Sequence, residues 1–431
     1  MRSRYSLVIA LLVASLLAGA AAPQAVTSAT LDAVAHSYVL LVLRIDLHEP
    51  GFNDYYYGPP ELRAQVQREG KRPLAELRAQ AQELLSALPE ARGNAIRREW
   101  FAKQLTALET KIRMLQGEKF SVTEQARLLF DLDVKPPTQE ELEAALTALE
   151  HALPGPGRLA DRLDALHSAF TLPQNKVETA YQLALAEART RARKLLLLPE
   201  SEKVELAFVT GKSWGGYNWY QGNVHSRIEI NLDLPASAST VYRYVAHEAY
   251  PGHHTDLATR EQRLYREKGY FEWCVSPLYT PQNTMAEAAA EVGVDLLMPP
   301  TEFFAWHRDA LFPRLGLTGA DLAAWERIAP LLETLGRARE RLPFLLHDQK
   351  ASEEELVAFL EKYTLSDRAR ALKTIQFDHE WGAYSFNYTV GREILRRYLS
   401  TGNARAKFIH LLTTPVFPSL IQMWIEEGYE P

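Results

Sequence analysis

The segment HEAYPGHH, residues 247–254, carries the residue types that a zinc hydrolase needs. Histidine nitrogens can hold the metal, and Glu248, next to the first histidine, can take a proton from a metal-bound water. The segment departs from the common H-E-x-x-H pattern, because Pro251 stands where the second histidine would fall and the next histidines are His253 and His254. The second ligand therefore has two candidates.

Helix geometry alone brings neither candidate to the first histidine. On an ideal helix from about Thr240, the six residues from His247 to His253 turn about 600°, so these side chains diverge. His254 is nearly eclipsed with His247 but about 10 Å away along the axis. Pro251 cannot donate a backbone hydrogen bond and must kink the helix. We therefore predict an extra-residue bulge that brings one of the later histidines over His247.

A third ligand is expected from a second helix, and the best candidate lies in the segment TMAEAAAE, residues 284–291. Glu287 stands there among small side chains, which allow the two helices to approach closely. Glu291 lies four residues later on the same face, so it is either the ligand or a group that orients one.

The chain around these residues is predicted to be mainly α-helical. Apolar residues recur at three- and four-residue spacing over residues 74–88, 140–153 and 177–197, whereas residues 55–60 are expected to form a loop. Residues 204–209 and 227–232 alternate like strands and predict a small sheet just before the histidine segment. We expect an N-terminal helical region at 23–200 and a metal-binding catalytic region at 201–431, joined in one continuous unit.

Two further elements are candidates for substrate binding. The alternating strand is either an edge that accepts an extended peptide or an internal strand of the sheet. Arg392 either forms an ion pair with a carboxylate of the substrate or is a positively charged helix residue that only contacts solvent. The strand's candidate residues are Arg227, Ile228, Glu229, Ile230 and Asn231.

Composition and the N-terminus indicate where the protein works. The chain has 431 residues and a net charge of −6, which argues against nucleic acid as a partner. Residues 1–22 carry Arg2 and Arg4, then an apolar run and small residues, which is typical of a secretory signal peptide. The apolar run is short for a membrane span. We expect a periplasmic or secreted protein without a stable membrane anchor after cleavage.

At the histidine segment the chain resembles the bacterial domain-of-unknown-function 885 family, whose members carry an H-E-x-x-P-G-H-H core. They also tend to have a downstream helix with a glutamate and a late Tyr-x-x-Gly element, here Glu287 and residues 388–391. The helix often reads E-G-W-A in that family, whereas this chain has E-A-A-A at residues 287–290. The departure affects the detail of the pocket and not the glutamate itself.

The family is in turn similar to helical zinc peptidases of the neurolysin and thermostable-carboxypeptidase type. That resemblance implies a mainly α architecture with a small β-sheet edging a deep cleft. It also implies Zn2+ as cofactor, with His247, His253 and Glu287 as its ligands and Glu248 as general base. His253 is favoured over His254 because the Gly-His ending matches that of related motifs, including the one in dipeptidyl peptidase III.

Hydrolysis also needs a hydrogen-bond donor for the oxyanion that forms on the scissile carbonyl. Tyr384 and Tyr388 are candidates, and the family's late motif favours Tyr388. Aromatic core packing is the alternative for both.

Taken together, these patterns predict a secreted zinc-dependent peptidase that acts on short peptides. A non-catalytic periplasmic binding or scaffold protein with a structural metal is the first alternative, although such a site would not require Glu248. A zinc amidase acting on cell-wall material is the second.

Overall fold

The computed structural model describes residues 30–212, 215–233, 235–317 and 321–431. These residues form a mainly helical protein with small sheets beside a cleft, which confirms the predicted fold class. The predicted signal peptide lies outside the described residues. No helix in the described ranges is long and apolar enough to cross a bilayer.

The part of the chain before residue 200 is a succession of helices. The predicted helices at 74–88, 140–153 and 177–197 correspond to α3, α6 and α8, within a few residues at each end. The helices are α1 (Leu31–His48), α2 (Pro60–Glu69), α3 (Leu74–Ala87), α4 (Ala95–Leu115), α5 (Val122–Phe130), α6 (Gln139–Ala152), α7 (Leu159–Ser168) and α8 (Gln174–Leu195).

The strands form two small sheets in the described part of the chain. In the first, β1 (Asn53–Tyr56) pairs with β5 (Val275–Pro277), so the loop predicted at 55–60 is partly wrong. In the second, β2 (Lys203–Val209) runs parallel to β4 (His225–Asn231), and β3 (Gly216–Tyr220) runs antiparallel on the other side of β4. The strand predicted at 227–232 is thus the centre of a sheet with the order β2-β4-β3.

The remainder is again helical. A short 3-10 helix followed by a π-helical turn, at residues 382–391, connects the helix that ends at Trp381 to the helix that begins at Arg392; it is here called the tyrosine segment because it carries Tyr384 and Tyr388. The helices are α9 (Val241–Glu248), α10 (His253–Arg260), α11 (Pro281–Leu297), α12 (Pro300–Trp306), α13 (Phe312–Leu315), α14 (Leu322–Gly336), α15 (Glu353–Tyr363), α16 (Arg368–Trp381), α17 (Arg392–Leu399), α18 (Ala404–Thr413) and α19 (Pro418–Glu427).

One hydrophobic core joins the regions on the two sides of residue 200. It contains buried side chains from the first region, such as Trp100 and Phe101, and from the second, such as Tyr242 and Phe408. Helices α8 and α9 also pack against each other, although β2, β3 and β4 separate them in the sequence. The two regions therefore share one interior.

Helix α11 is buried on nearly every side, and its small residues determine what packs against it. A Cβ added at Gly293 would lie 2.6 Å from Cγ of Pro251, in the connection between α9 and α10. On the tyrosine segment, a Cβ added at Gly391 would lie 3.3 Å from Cβ of Ala288. Both segments approach α11 more closely than larger residues would allow.

This packing predicts different effects for two glycine substitutions. We expect Gly293→Ala to lower the free energy of unfolding by about 1–3 kcal/mol, because the added methyl group overpacks the contact with Pro251. Gly336→Ala is the matched control, since Gly336 is also helical and has no atom within 4 Å of an added Cβ. It should be neutral or stabilise the protein by up to about 1 kcal/mol. Urea unfolding measures both, and equal effects would contradict the packing argument.

Candidate metal centre

The histidine segment is a helix that stops and starts again. Helix α9 ends at Glu248, and α10 begins at His253 after a four-residue connection that includes a cis peptide bond between Tyr250 and Pro251. The amide of Gly252 donates to the carbonyl of Ala246 at 3.0 Å, which turns the chain back on α9. The predicted bulge in a continuous helix is therefore wrong, because the helix is fully interrupted.

Glycine is required at position 252 for steric reasons. A Cβ there would lie 1.6 Å from the carbonyl oxygen of His247, so no other residue fits this backbone path. The interruption brings the imidazoles of His247 and His253 together, with ring centroids 4.7 Å apart and ring planes at 89°. These two rings point into one space.

Glu287 of α11 completes the group. Its Oε2 lies 3.5 Å from Nε2 of His247 and 3.4 Å from Nε2 of His253. The three ligand atoms are within 4.8 Å of one another. Two ligands at about 2.0–2.1 Å from one tetrahedral zinc ion are about 3.3 Å apart, so the spacing fits that metal.

The hydrogen bonding of Glu287 also fits a metal ligand. Its Oε1 accepts from the hydroxyls of Tyr384, at 3.0 Å, and Tyr388, at 3.3 Å. Its Oε2 is buried and has no hydrogen-bond partner in the described part of the chain. A buried carboxylate oxygen without a donor is costly unless a cation takes it. The two tyrosines thus fix Oε1 of the carboxylate, whereas Oε2 faces the two imidazoles and is available to a metal ion.

Glu291 occupies the position of an orienting group. Its Oε1 lies 3.1 Å from Nδ1 of His247, which leaves Nε2 of that ring facing Glu287. Burial opposes a positive charge on His247, but the carboxylates of Glu287 and Glu291 outweigh it and raise the pKa of the imidazole. Glu291 is outside the ligand group, where the sequence had left it as an alternative ligand.

His254, the alternative second ligand, points away from the group. Its Nδ1 lies 2.9 Å from the hydroxyl of Ser226, and its Nε2 lies 3.2 Å from Oε2 of Glu202. Burial lowers the pKa of His254. The contacts of His254 with Ser226 and Glu202 resemble the serine, histidine and acid of a catalytic triad. However, Ser226 and His254 are fully buried, so no substrate reaches them. These contacts connect the first turn of α10 to β4 and to Glu202.

The group opens into a cleft of about 380 Å³. Glu248 lies on its wall beside His247, and the carbonyl oxygen of Glu248 accepts a 2.8 Å hydrogen bond from Nδ2 of Asn218 on β3. Helices α9, α10 and α11 form the floor. The other walls are formed by Asp54 and Tyr55 of β1, Gly216 to Asn218 of β3, Phe377 and Trp381 of α16, and Tyr384 and Tyr388 of the tyrosine segment.

The predicted peptide-binding edge on β4 is wrong. Both sides of β4 are paired, because β2 and β3 lie on either side of it. Ile228 and Ile230 are buried in the core, and Glu229 accepts from Arg227 and from the indole of Trp219. Asn231 donates to the carbonyl of Lys212. The exposed edge that lines the cleft is β3.

Arg392 does not line the cleft. Its guanidinium lies 3.2 Å from Glu333 and 3.5 Å from Asp295, so two carboxylates of the protein already neutralise it. The predicted contact with a substrate carboxylate is therefore wrong for this residue.

Sequence reasoning missed Asp54 and the cleft-lining face of β3. The hydroxyl of Tyr217 donates to Asp54, which ties β3 to β1 across the cleft. The alternation of Tyr217, Asn218 and Trp219 after Gly215-Gly216 is a strand signal, but glycines and aromatic residues around it also suit a turn. Nothing in the sequence links Asp54 to residues so far along the chain.

Of the comparisons with known proteins, one with a solved structure supports the fold. No model of a protein family matches the chain, and no curated protein matches it in sequence. A protein described as a lipoprotein from Colwellia psychrerythraea is similar in structure, with a TM-score of 0.50 and 13% identity over 93% of this chain and 77% of that chain. A lipoprotein of unknown function from Shewanella oneidensis gives a TM-score of 0.48 and 11% identity over 90% and 82% of the two chains. An M32 carboxypeptidase from Deinococcus radiodurans R1 gives a TM-score of 0.37 and 13% identity over 91% of this chain and 90% of that chain.

The geometry predicts opposite outcomes for the two adjacent histidines. Because three side chains hold the ion, His253→Gln should lose bound zinc after dialysis, whereas the wild type keeps about one zinc per chain. His254→Gln should keep zinc but lower the free energy of unfolding by about 1.5–3 kcal/mol, because Glu202 loses a buried partner. Elemental analysis and urea unfolding measure the two effects. Full zinc in the His253 variant would contradict the assignment.

Proposed function

We propose that this protein is a zinc-dependent peptidase that hydrolyses short peptides. The observation that carries the proposal is the convergence of His247, His253 and Glu287 on the floor of a cleft, with Glu248 on the wall beside them. The open position of the group favours catalysis over a structural metal, because structural zinc sites are closed by four protein ligands.

The chain's own residues divide the work of hydrolysis. A zinc ion held by the three ligands would supply a Lewis acid for the scissile carbonyl and for the attacking water. Glu248 takes a proton from that water and passes it to the leaving amine, which is the role of a general base followed by a general acid. Glu291 keeps the imidazole of His247 in the orientation that ligation needs.

The two tyrosines have different parts in this mechanism. Tyr384 makes the shorter hydrogen bond to Glu287 and is buried, which suits a residue that positions the ligand. Tyr388 makes the longer one, at 3.3 Å, and is less buried on the cleft wall. We assign Tyr388 as the donor to the oxyanion, in agreement with the sequence prediction.

The cleft suits an extended peptide more than a folded protein. Among the described strands, β3 pairs with β4 alone, so its other edge can hydrogen-bond a peptide as an additional strand. A volume of about 380 Å³ holds a few residues. Short peptides are thus the proposed substrate class, with peptide-like cell-wall material as the competing one.

We further propose that the protein belongs with the domain-of-unknown-function 885 family and acts in the periplasm or outside the cell. The support is the H-E-x-x-P-G-H-H core, the late Tyr-x-x-Gly element and the leader-like residues 1–22.

Replacing the proposed base should separate catalysis from metal binding. We expect Glu248→Gln to keep its zinc and to lose activity on a short-peptide library by about 10²- to 10⁴-fold, because the general base is removed. Glu380→Gln, an exposed glutamate on α16, is the matched control and should behave as the wild type. Chelation should abolish wild-type activity, and added zinc should restore it.

Each other outcome of that experiment has a defined meaning. Equal activity of the Glu248 variant and the wild type would remove Glu248 as base. Bound zinc without hydrolysis of any peptide would identify a structural metal. Hydrolysis of cell-wall fragments alone would identify an amidase.

The tyrosine assignment gives a paired prediction. Tyr388→Phe should lower kcat by about 10²- to 10³-fold with little change in KM or zinc affinity, because it removes an oxyanion donor. Tyr384→Phe should instead weaken zinc binding by about tenfold, because Glu287 loses its closer hydrogen bond. Steady-state kinetics and zinc competition with a chromogenic chelator measure both. Identical profiles for the two variants would contradict the division of roles.

A further inference from the structure

A second cavity, of about 390 Å³, lies directly beside the metal cleft. The two share Phe377 and Tyr388 as wall residues. Because the hydroxyl of Tyr388 lies 3.3 Å from Oε1 of Glu287, the cavity begins one aromatic ring away from the candidate ligands. One extended residue spans about 3.3–3.6 Å, so a peptide held at the metal centre reaches this cavity within a few residues.

Two cations line the second cavity, and neither has an ion-pair partner among the described residues. Arg339 comes from the turn after α14, and Lys373 comes from α16. In the described ranges of the chain, neither has a carboxylate oxygen within 4.0 Å. The neighbouring Arg337 differs, because it is 3.0 Å from the buried carboxylate of Glu340 and is neutralised there. The cavity therefore holds two cations that no described carboxylate pairs with at ion-pair distance, beside the buried acid Asp378.

A buried acidic residue, Asp378, also lines the cavity. Asp378 is 2% exposed, and its Oδ1 has no hydrogen-bond partner among the described residues. Buried polar atoms are nearly always hydrogen-bonded in folded proteins, so this one calls for a ligand or a water molecule. Phe377 and Tyr388 add apolar walls. The combination of apolar walls with a few polar groups is typical of a small-molecule or peptide subsite.

The acid group of Asp378 is compatible with an anion in the cavity. Burial raises the pKa of Asp378 to about 7, although a hydrogen bond from Ser385 and the charge of Arg339 act in the other direction. A protonated carboxyl group can donate a hydrogen bond to a carboxylate.

We propose that this cavity binds a carboxylate of the peptide substrate through Arg339 and Lys373. That carboxylate lies within a few residues of the bond that is cleaved. The inference rests on the proposed peptidase function and narrows its substrate class. A free C-terminus and an acidic side chain both supply the required group. A peptide with its free C-terminus in the cavity is cleaved near that end.

Three peptides of one neutral sequence separate the possible carboxylates. The first has a free C-terminus, the second is amidated, and the third is amidated with glutamate as its last residue. With the zinc-loaded wild type, we expect KM for the free acid to be at least about tenfold lower than for the neutral amide, because a charge-assisted contact is lost in the amide. A low KM for the glutamate amide identifies a side-chain carboxylate as an accepted ligand.

A double variant tests the two cations. Arg339→Gln with Lys373→Gln should raise KM for the free acid to that for the amide, with a smaller change in kcat and none in zinc content. Arg314→Gln with Lys194→Gln is the matched control, since both residues are exposed and outside the cleft and the cavity. Equal KM values for all three peptides in the wild type, or a double variant that still prefers the free acid, would overturn the proposal.

A binding measurement keeps this inference separate from the proposed function. If the wild type hydrolyses no peptide, the peptidase proposal fails. Titration calorimetry of the same peptides against zinc-loaded Glu248→Gln then tests the cavity alone. Tighter binding of a carboxylate-bearing peptide, abolished by adding the two cation substitutions, supports a carboxylate subsite, and equal binding of all three peptides refutes it.

Discussion

The close approach of two segments to helix α11 is the constraint on which the candidate site depends. Glu287 sits on α11, and both the connection between α9 and α10 and the tyrosine segment pack against its small residues. Pro251 lies over Gly293, and Gly391 lies over Ala288. Larger side chains at these contacts would move the imidazoles or the tyrosine hydroxyls away from the carboxylate. Backbone packing thus sets distances that the site chemistry requires.

The residues that converge in the candidate site could be identified from the sequence, whereas their geometry could be predicted only in part. His247, Glu248 and Glu287 follow from the residue types that metal hydrolysis needs. Regular helix arithmetic could not choose between His253 and His254, because the helix is interrupted and not merely kinked. The choice depends on Glu202, which holds His254 from a segment that is distant in sequence.

The sheet shows the same limit. The alternation of polar and apolar residues predicted the strand at 227–232, but it does not show which strands pair with it. Its central position comes from the parallel pairing with β2 and the antiparallel pairing with β3, and β3 was hidden among glycines and aromatic residues. The helices before residue 200 were more predictable, because their periodicity and caps are local. Paired capping residues, such as Ser121 with Glu124, are visible in the sequence without any tertiary information.

The hydrogen bond from Asn218 to the carbonyl of Glu248 has a mechanical consequence. It connects β3, the strand of the small sheet that lines the cleft, to the last turn of α9. The hydroxyl of Tyr217 connects the same strand to Asp54 of β1 on the other side of the cleft. A peptide that binds along β3, as proposed, would therefore contact a strand that is hydrogen-bonded directly to the backbone of Glu248, the proposed base. In the proposed peptidase, a displacement of β3 on substrate binding would therefore be transmitted to the backbone that carries Glu248.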